Sequence, residues 1–314
     1  MKIPPPSSTF PTPTSTTGFS LSPGGLLLPY HVGALEALEY HGYLSDHTPL
    51  AGSSAGSIAA AAQACGIDGP SVLEATIQIS DYCDSMGGAR GRLLGALRTS
   101  LGAMITEEEH RTILERPGKV VIAYQEIFPR YRSIHETKFE TRDDLIDAIC
   151  HSSTFPFFTT HWPAGLAATT TTRSSRSGKR DKFLPRLVMD GYFAVPRDRF
   201  GCPDFDLVAT NNDDDVVVDR TVMISVLPQT LVGLNACDSD MCISPPVEDS
   251  QNQLQQLLRL AKEPSSRQEL TQVYENGWHD AERWCREHGH KISSSTITTT
   301  ITNCVVEDNV ENWN

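Results

Sequence analysis

Short extended runs alternate with amphipathic segments along the first two thirds of the chain. Five such runs predict strands, at residues 18–22, 47–51, 119–124, 183–189 and 221–227. Apolar side chains spaced three and four residues apart predict helices that begin near Pro29, Ser57 and Pro70, and after the N-capping residue Thr141. This alternation predicts an α/β fold with a mainly parallel central sheet and helices on both faces.

Polar segments of low complexity divide the chain further. Residues 1–17 are rich in Pro, Ser and Thr, and we expect a disordered leader there. A run of Thr, Ser, Arg and Lys at 168–182 predicts a flexible insertion within a main domain that spans residues 18–230. Residues 231–291 predict a helical extension, and we expect the Ser/Thr-rich and acidic tail at 292–314 to be disordered.

Two amphipathic segments leave open whether their apolar faces contact protein or lipid. Residues 88–104 interleave leucines with Arg90, Arg92 and Arg98, which is typical of a helix packed on the core and also of a lipid-facing lid. Residues 270–285 carry an apolar stripe with two tryptophans. Such a stripe indicates packing on the same domain or, alternatively, an interface with lipid or a partner.

Composition narrows the classes of partner. The chain has 314 residues, 39% of them hydrophobic, which is enough for a sizeable core. Its net charge of −13 disfavours nucleic acid and tight docking on anionic membranes. Eight cysteines without a C-x-x-C pair indicate neither a zinc site nor a redox motif, so we expect no metal and no cofactor.

The apolar runs bear on location as well. None of them is long enough to span a bilayer, and the first residues lack the apolar core of a secretory signal. We therefore expect a protein of the cytoplasm or an organelle stroma.

The strongest chemical signal is the G-S-S-A-G pentapeptide that carries Ser54 between Gly52 and Gly56. An extended run precedes it and a run of small helical residues follows, which is the strand–turn–helix setting of a nucleophile elbow. The two glycines leave room around a strained serine, and the helix N-terminus favours a developing negative charge. A Gly/Ser-rich loop above an ordinary buried helix is the alternative.

A second glycine-rich loop lies upstream of the elbow. The predicted strand at 18–22 ends in Pro23, Gly24 and Gly25, directly before a helix. Backbone N–H groups at such a point bind anions, either a phosphate or the oxyanion of a tetrahedral intermediate. No G-K-[ST] sequence follows, and parallel strands would bring this loop and Ser54 to the same edge of the sheet.

The third element is Asp190-Gly191, at the end of a predicted buried strand. Taken alone, Asp-Gly is typical of an ordinary turn. Taken together, the G-G-L-L run that begins at Gly24, the elbow at Ser54 and Asp190-Gly191 resemble the patatin-like phospholipase family over roughly residues 18–230. Within it, the chain is most similar to the branch of the adipose triglyceride lipases and their plant and algal relatives.

This resemblance implies a three-layer fold and a Ser–Asp dyad without histidine. Ser54 would be the nucleophile, Asp190 the base, and Gly24 and Gly25 the oxyanion hole. The implied activity is hydrolysis of carboxylic esters in triacylglycerol or phospholipid, at the surface of a membrane or lipid droplet. The chain departs from the family where Pro23 and Tyr192 replace glycines, and Pro23 has no N–H to donate.

Two alternatives stand beside this interpretation. A catalytically impaired lipid-binding or scaffold protein would keep the fold, and the two departures favour it. An α/β-hydrolase would need a histidine after the aspartate, and His279, His288 and His290 are the downstream candidates. They fall in or just after the amphipathic C-terminal helix rather than in a loop after a strand. His31, near the glycine-rich loop, indicates a structural role.

Overall fold

The computed structural model describes residues 16–167, 185–206, 218–234, 238–248 and 250–304. The expected insertion at 168–182 and nearly all of the expected leader lie outside these residues, as do residues 305–314. No helix within the described part of the chain is long and apolar enough to cross a bilayer.

The described residues form eight strands and nine α-helices. The strands are β1 (Thr17–Leu21), β2 (Leu50–Gly52), β3 (Val120–Phe128), β4 (Arg132–Glu136), β5 (Gly165–Ala167), β6 (Arg186–Met189), β7 (Arg220–Ile224) and β8 (Cys242–Ile243). The helices are α1 (Leu28–Tyr40), α2 (Ala55–Ala64), α3 (Gly69–Ser85), α4 (Leu93–Met104), α5 (Glu107–Glu115), α6 (Arg142–Ser152), α7 (Gln229–Val232), α8 (Ser250–Lys262) and α9 (Arg267–Cys304). All the strands belong to one sheet in the order β5-β6-β3-β2-β1-β7-β8, with β4 paired to β3.

The sheet confirms the predicted fold class. Strands β3, β2, β1, β7 and β8 are parallel, whereas β4, β5 and β6 pair in antiparallel fashion. Phe19 and Ile122 belong to the main core, in the layer built from α1, α2, α6 and α9. Ala51 and Val121 point to the opposite face, where Phe205 covers them beside two short 3₁₀-helices. The fold therefore has three layers, and short 3₁₀-helices contribute to the second face.

The pairing of β3 positions the two chemical loops. Ile122 pairs with Gly52 on one side and Glu136 on the other, while Gln125 pairs with Met189 and with a residue of β4. Since β4 occupies one edge of β3 over this whole stretch, β2 and β6 must share the other edge. Their carboxyl ends face each other across two residues of β3, Ala123 and Tyr124, so the residues that follow each strand meet there.

A buried carboxylate holds β6 against β3. Glu126 accepts hydrogen bonds from Arg132 at 2.8 Å and from Arg186 at 2.6 Å. Burial alone would raise the pKa of Glu126, but the two guanidinium groups outweigh it and hold the pKa below its ordinary value. This arrangement pairs one buried negative charge with two positive ones and fixes the strand that leads to Asp190.

The two amphipathic segments pack on the protein. Leu93, Leu97 and Leu101 of α4 are buried, so α4 follows the core-packing interpretation rather than that of a lid. Helix α9 packs along α1, and the indole of Trp284 contacts Phe19 in the main core.

Helix α9 runs further than the sequence predicts. It continues to Cys304, into the tail that we expected to be disordered from residue 292. No proline follows Pro264 in the sequence to end the helix.

Candidate active site

Ser54 lies at a strained turn between β2 and α2. Its backbone has φ of 52° and ψ of −122°, in a region that side chains other than glycine rarely adopt. A Cβ on Gly52 would lie 2.3 Å from the carbonyl of Gly56, and one on Gly56 would lie 2.4 Å from the carbonyl oxygen of Leu21. Both glycines are therefore required for α2 to start this close to β1 and β2, as expected of an elbow.

The last residue of α6 and the segment that follows it connect the elbow to the aspartate loop. The N–H of Ser54 donates to Ser152 Oγ at 2.9 Å, and the hydroxyl of Ser152 donates to the carbonyl of Ala123 at 2.6 Å. Two residues later, the carbonyl of Thr154 accepts the N–H of Asp190 at 2.8 Å. These contacts join segments that are far apart in the chain, so the sequence pattern does not reveal them.

Asp190 is fully buried beside Ser54. Its Oδ1 accepts the N–H of Tyr192 at 2.9 Å, whereas its Oδ2 has no hydrogen-bond partner among the described residues. Burial raises the pKa of Asp190 to about 7, and the hydrogen bond from Tyr192 and the nearby Ser54 hydroxyl oppose this shift. The Ser54 hydroxyl does not complete a hydrogen bond of normal geometry to Oδ2, so that oxygen is available to accept a proton.

Gly191 allows the aspartate loop to reach the elbow. A Cβ at this position would lie 2.3 Å from the carbonyl oxygen of Ala123 and 2.7 Å from the Cβ of Ser53. Since neither the strand backbone nor the elbow can move away freely, any larger residue would displace Asp190.

We expect Gly191→Ala to lower the free energy of unfolding by about 2 kcal/mol, because a methyl group overpacks this contact. The same change should slow any reaction that requires both side chains, since it moves Asp190 relative to Ser54. Gly95→Ala is the matched control: Gly95 lies within α4 with open space around it, and alanine there should stabilise the protein by about 0.5–1 kcal/mol. Urea unfolding of both variants checks the pair, and equal effects would contradict the steric explanation.

The loop of Gly24 and Gly25 borders the elbow. A Cβ on Gly24 would lie 3.6 Å from the Cβ of Ala55, the first residue of α2. Gly25 has φ of +56°, and a Cβ there would lie 2.3 Å from the carbonyl oxygen of Ala261 in α8. Neither glycine N–H donates a hydrogen bond to any described backbone or side chain. Both donors are therefore free for an anion even though Pro23 contributes none.

No histidine side chain that the structure describes forms a triad with Ser54 and Asp190. His31 is buried, its Nε2–H donates to the carbonyl of Ser22 at 2.7 Å, and burial lowers its pKa to about 4. The imidazole of His31 is therefore neutral, and its hydrogen bond supports the backbone just before the loop of Gly24 and Gly25. His279 is exposed beside Glu282 on α9, and no described histidine side chain lines the cleft at Ser54.

A largely apolar cleft of about 640 Å³ opens above Ser54. Its walls include the side chains of Leu27, Phe155, Phe158, Phe200, Leu227 and Leu258. Leu258 belongs to α8, a helix that the sequence analysis did not predict individually. Tyr192 also lines the cleft and packs edge-on against Phe200. The cleft has the size and lining of a site for an apolar ligand.

The described residues contain no cluster of three or more His, Cys, Asp or Glu side chains that could hold a metal ion. The chemistry available at the cleft consists of a hydroxyl, a buried carboxylate with a raised pKa, free backbone N–H groups and apolar walls.

Two solved structures resemble the chain at low similarity. One is VipD from Legionella pneumophila, with 11% identity, a TM-score of 0.42, and coverage of 88% of this chain and 67% of VipD. The other is the ExoU–SpcU complex of the type III secretion system of Pseudomonas aeruginosa, with 16% identity, a TM-score of 0.37, and coverage of 91% of this chain and 59% of the matched chain. No curated protein matches the chain.

The family model described as patatin-like phospholipase matches residues 19–200. This range begins in β1 and includes the loop of Gly24 and Gly25, the elbow at Ser54, α6 and Asp190. It does not distinguish branches, so the likeness to adipose triglyceride lipases stays a prediction. Because the match spans more than half of the sequence, the chain belongs to the patatin-like phospholipase family, whose membership supports lipid acyl hydrolase activity in general.

Proposed function

We propose that this protein hydrolyses carboxylic esters of glycerolipids through an acyl intermediate on Ser54, with Asp190 as the base. The observation that carries the proposal is the unpartnered Oδ2 of a fully buried aspartate beside a strained serine at the floor of an apolar cleft. Buried polar atoms without a partner are rare because they cost stability. An oxygen kept in that state is consistent with a group that accepts a proton during turnover.

The first half-reaction uses Asp190 to activate Ser54. The carboxylate takes the hydroxyl proton while Oγ attacks the ester carbonyl carbon, and a tetrahedral oxyanion forms. The N–H groups of Gly24 and Gly25 and the N-terminus of α2 would stabilise this oxyanion. Asp190 then gives its proton to the departing alcohol, which leaves the acyl group on Ser54. A pKa of about 7 lets the same carboxyl accept and return a proton near neutral pH.

The second half-reaction repeats these roles with water. Asp190 removes a proton from a water molecule, which attacks the acyl carbonyl and forms a second oxyanion in the same loop. Collapse of that intermediate returns the proton to Ser54 and releases a fatty acid. The apolar side chains of the cleft would hold the acyl chain throughout. Triacylglycerol and phospholipid both carry such esters, and both are met at a lipid droplet or membrane surface, to which we propose the protein binds transiently.

Covalent labelling with a fluorophosphonate probe tests this proposal. We expect the wild-type protein to be labelled at Ser54, because the serine oxygen displaces fluoride from the probe and is phosphonylated only when a base activates it. Ser54→Ala should abolish labelling, and Asp190→Asn should slow it by at least about 10²-fold. Intact-protein mass spectrometry gives the rate, and peptide mapping gives the site. Absence of labelling in a folded wild-type protein would favour the lipid-binding or scaffold alternative.

A further inference from the structure

Four exposed aromatic side chains lie at or beside the mouth of the cleft. Phe155, Phe157 and Trp162 belong to the segment between α6 and β5, and their exposed fractions are 37%, 54% and 71%. Phe193, three residues after Asp190, is 36% exposed, and the centre of its ring lies 5.5 Å from that of Phe155. Phe155 and Phe157 also line the cleft. We call these four residues the aromatic rim.

Hydrogen bonds fix the backbone of the segment that carries most of the rim. The N–H of Phe157 donates to the carbonyl of Trp162 at 3.2 Å, and the carbonyl of Phe157 accepts the Nε–H of Arg90 at 2.8 Å. The hydroxyl of Thr159 accepts the N–H of Phe155 at 2.8 Å and donates to a carbonyl of the same segment at 2.7 Å. Thr159 is buried while the neighbouring aromatic side chains are exposed, which inverts the ordinary distribution. An ordered loop therefore presents apolar rings to the solvent.

The place of the rim at the cleft indicates what covers it. Exposed apolar patches mark contacts with protein or lipid. A folded protein seated on the rim would close the opening through which the substrate enters. A lipid layer would cover the same rings and deliver its own molecules to that opening. Tryptophan and phenylalanine rings are also well suited to the boundary between water and an apolar layer.

We propose that the aromatic rim docks the protein on a lipid layer without net charge, with Phe157 and Trp162 inserted into the surface of that layer. The inference rests on the proposed esterase function and adds the docking face to it. Because the protein carries a net charge of −13, burial of apolar rings rather than ion pairing supplies the attraction. Docking on this face turns the mouth of the cleft, and Ser54 at its floor, towards the lipid.

Vesicles of ether-linked phosphatidylcholine test the docking face, because they carry neither net charge nor a carboxylic ester that the protein could cleave. Cosedimentation gives the partition constant of the wild-type protein, which we expect to be insensitive to salt. Trp162→Ser should lower this constant by about tenfold, since a large apolar side chain no longer leaves water on binding. Phe157→Ser should lower it as well, whereas Trp162→Phe should stay within about threefold of wild type.

Tyr40→Ser is the matched control. Tyr40 is 76% exposed, which is close to the value for Trp162, and it ends α1, a helix that starts beside the loop of Gly24 and Gly25 and runs for 13 residues, or about 20 Å. The partition constant of this variant should stay within about twofold of wild type. Near-ultraviolet circular dichroism verifies that each variant is folded. Equal losses in Tyr40→Ser and Trp162→Ser would overturn the assignment of the rim.

Acrylamide quenching reports the insertion of Trp162 directly. The difference in fluorescence between the wild type and Trp162→Phe belongs to this indole. We expect acrylamide to quench that difference in solution, where the side chain is 71% exposed, and to quench it much less on vesicles. A Trp162 that stays equally accessible to acrylamide in the vesicle-bound protein would refute the proposed orientation.

Other occupants of the rim have their own outcomes. If the wild type binds only vesicles with anionic lipid, and salt removes that binding, charge docks the protein and the proposal is wrong. If the wild type binds no vesicles and Trp162→Ser dissociates a dimer in sedimentation velocity, the rim joins two copies, and the proposal is equally wrong. A wild-type protein that resists the fluorophosphonate probe refutes the esterase function, whereas a labelled wild type that does not bind the ether-linked vesicles refutes only the docking face.

Discussion

Ser54→Ala is expected to lower kcat/KM for a glycerolipid ester by at least about 10³-fold, with a folded protein. The proposed mechanism forms a covalent bond to Oγ, and no other described hydroxyl lies at a strained elbow beside a buried carboxylate. Other serine hydrolases lose similar or larger factors when the nucleophile is removed, and retain a residue of activity from the oxyanion hole and binding. Alanine removes only Oγ and keeps the Cβ, so the cleft stays in place.

Release of fatty acid from a short-chain ester, measured with purified protein, checks this expectation. Ser85→Ala is the matched control, because that serine lies exposed at the end of α3 and its hydroxyl binds only the carbonyl of Tyr82. Near-ultraviolet circular dichroism of both variants verifies their folding. Full esterase activity in a purified Ser54→Ala protein would exclude the acyl-serine mechanism.

Asp190→Asn is expected to have the second largest effect, a loss of at least about 10²-fold in kcat/KM near pH 8. An amide cannot take the proton of Ser54, although it preserves the size of the side chain and the bond from Tyr192. In the wild type, the base works only when ionised. The pKa of about 7 therefore predicts that kcat/KM rises with pH, with a midpoint near 7 and a plateau above about pH 8.

The same substitution should stabilise the protein at alkaline pH. Burial raises the pKa of Asp190 from 3.8 to about 7, so the folded state holds a proton that the unfolded state releases between these values. Wild-type stability should therefore fall as pH rises from about 4 to 7, by about 1.4 kcal/mol for each unit by which the pKa is raised. Asparagine does not titrate, so the variant does not lose this stability as the pH rises.

Two measurements on Asp190→Asn separate catalysis from folding. Initial rates from pH 5 to 9 should show the sigmoidal rise for wild type and only residual activity for the variant. Thermal unfolding at pH 5 and pH 8 should show the variant gaining stability relative to wild type at the higher pH. A variant that is inactive but also less stable at pH 8 would indicate that Asp190 serves to hold the loop rather than to accept a proton.

The elbow was predictable from sequence because its determinants are local. Gly52 and Gly56 are required by contacts within a few residues of Ser54 or with the neighbouring strand β1, and the flanking strand and helix are visible in the sequence pattern. The core strands and α6 with its capping Thr141 were predictable for the same reason. Each of these elements depends on short-range periodicity, capping or the size of side chains.

The support of the site was not predictable, because it depends on pairings between distant segments. Ser152 contacts the elbow across 98 residues, and its sequence neighbourhood shows no sign of that hydrogen bond. Strand β4 is polar and partly exposed, which hides it from a search for apolar runs. The leucines of α8 do follow helical spacing in the sequence. The position of this helix against Gly25 and the cleft, however, is a property of the tertiary fold.

Strand β3 sets the spacing between Ser54 and Asp190, the proposed nucleophile and base. Because β2 and β6 lie along the same edge of β3, the distance between Ser54 and Asp190 is set by the pairing of both strands with β3, which for β6 includes an irregularity between Glu126 and Phe128. Ala167 of β5 pairs with Arg186 of β6, so the chain between them leaves the sheet and re-enters it at paired positions. A one-residue slip of β6 would instead carry Asp190 to the other face of the sheet. The position of Asp190 therefore depends on the register of the four residues of β6 rather than on the length of the connection that precedes them.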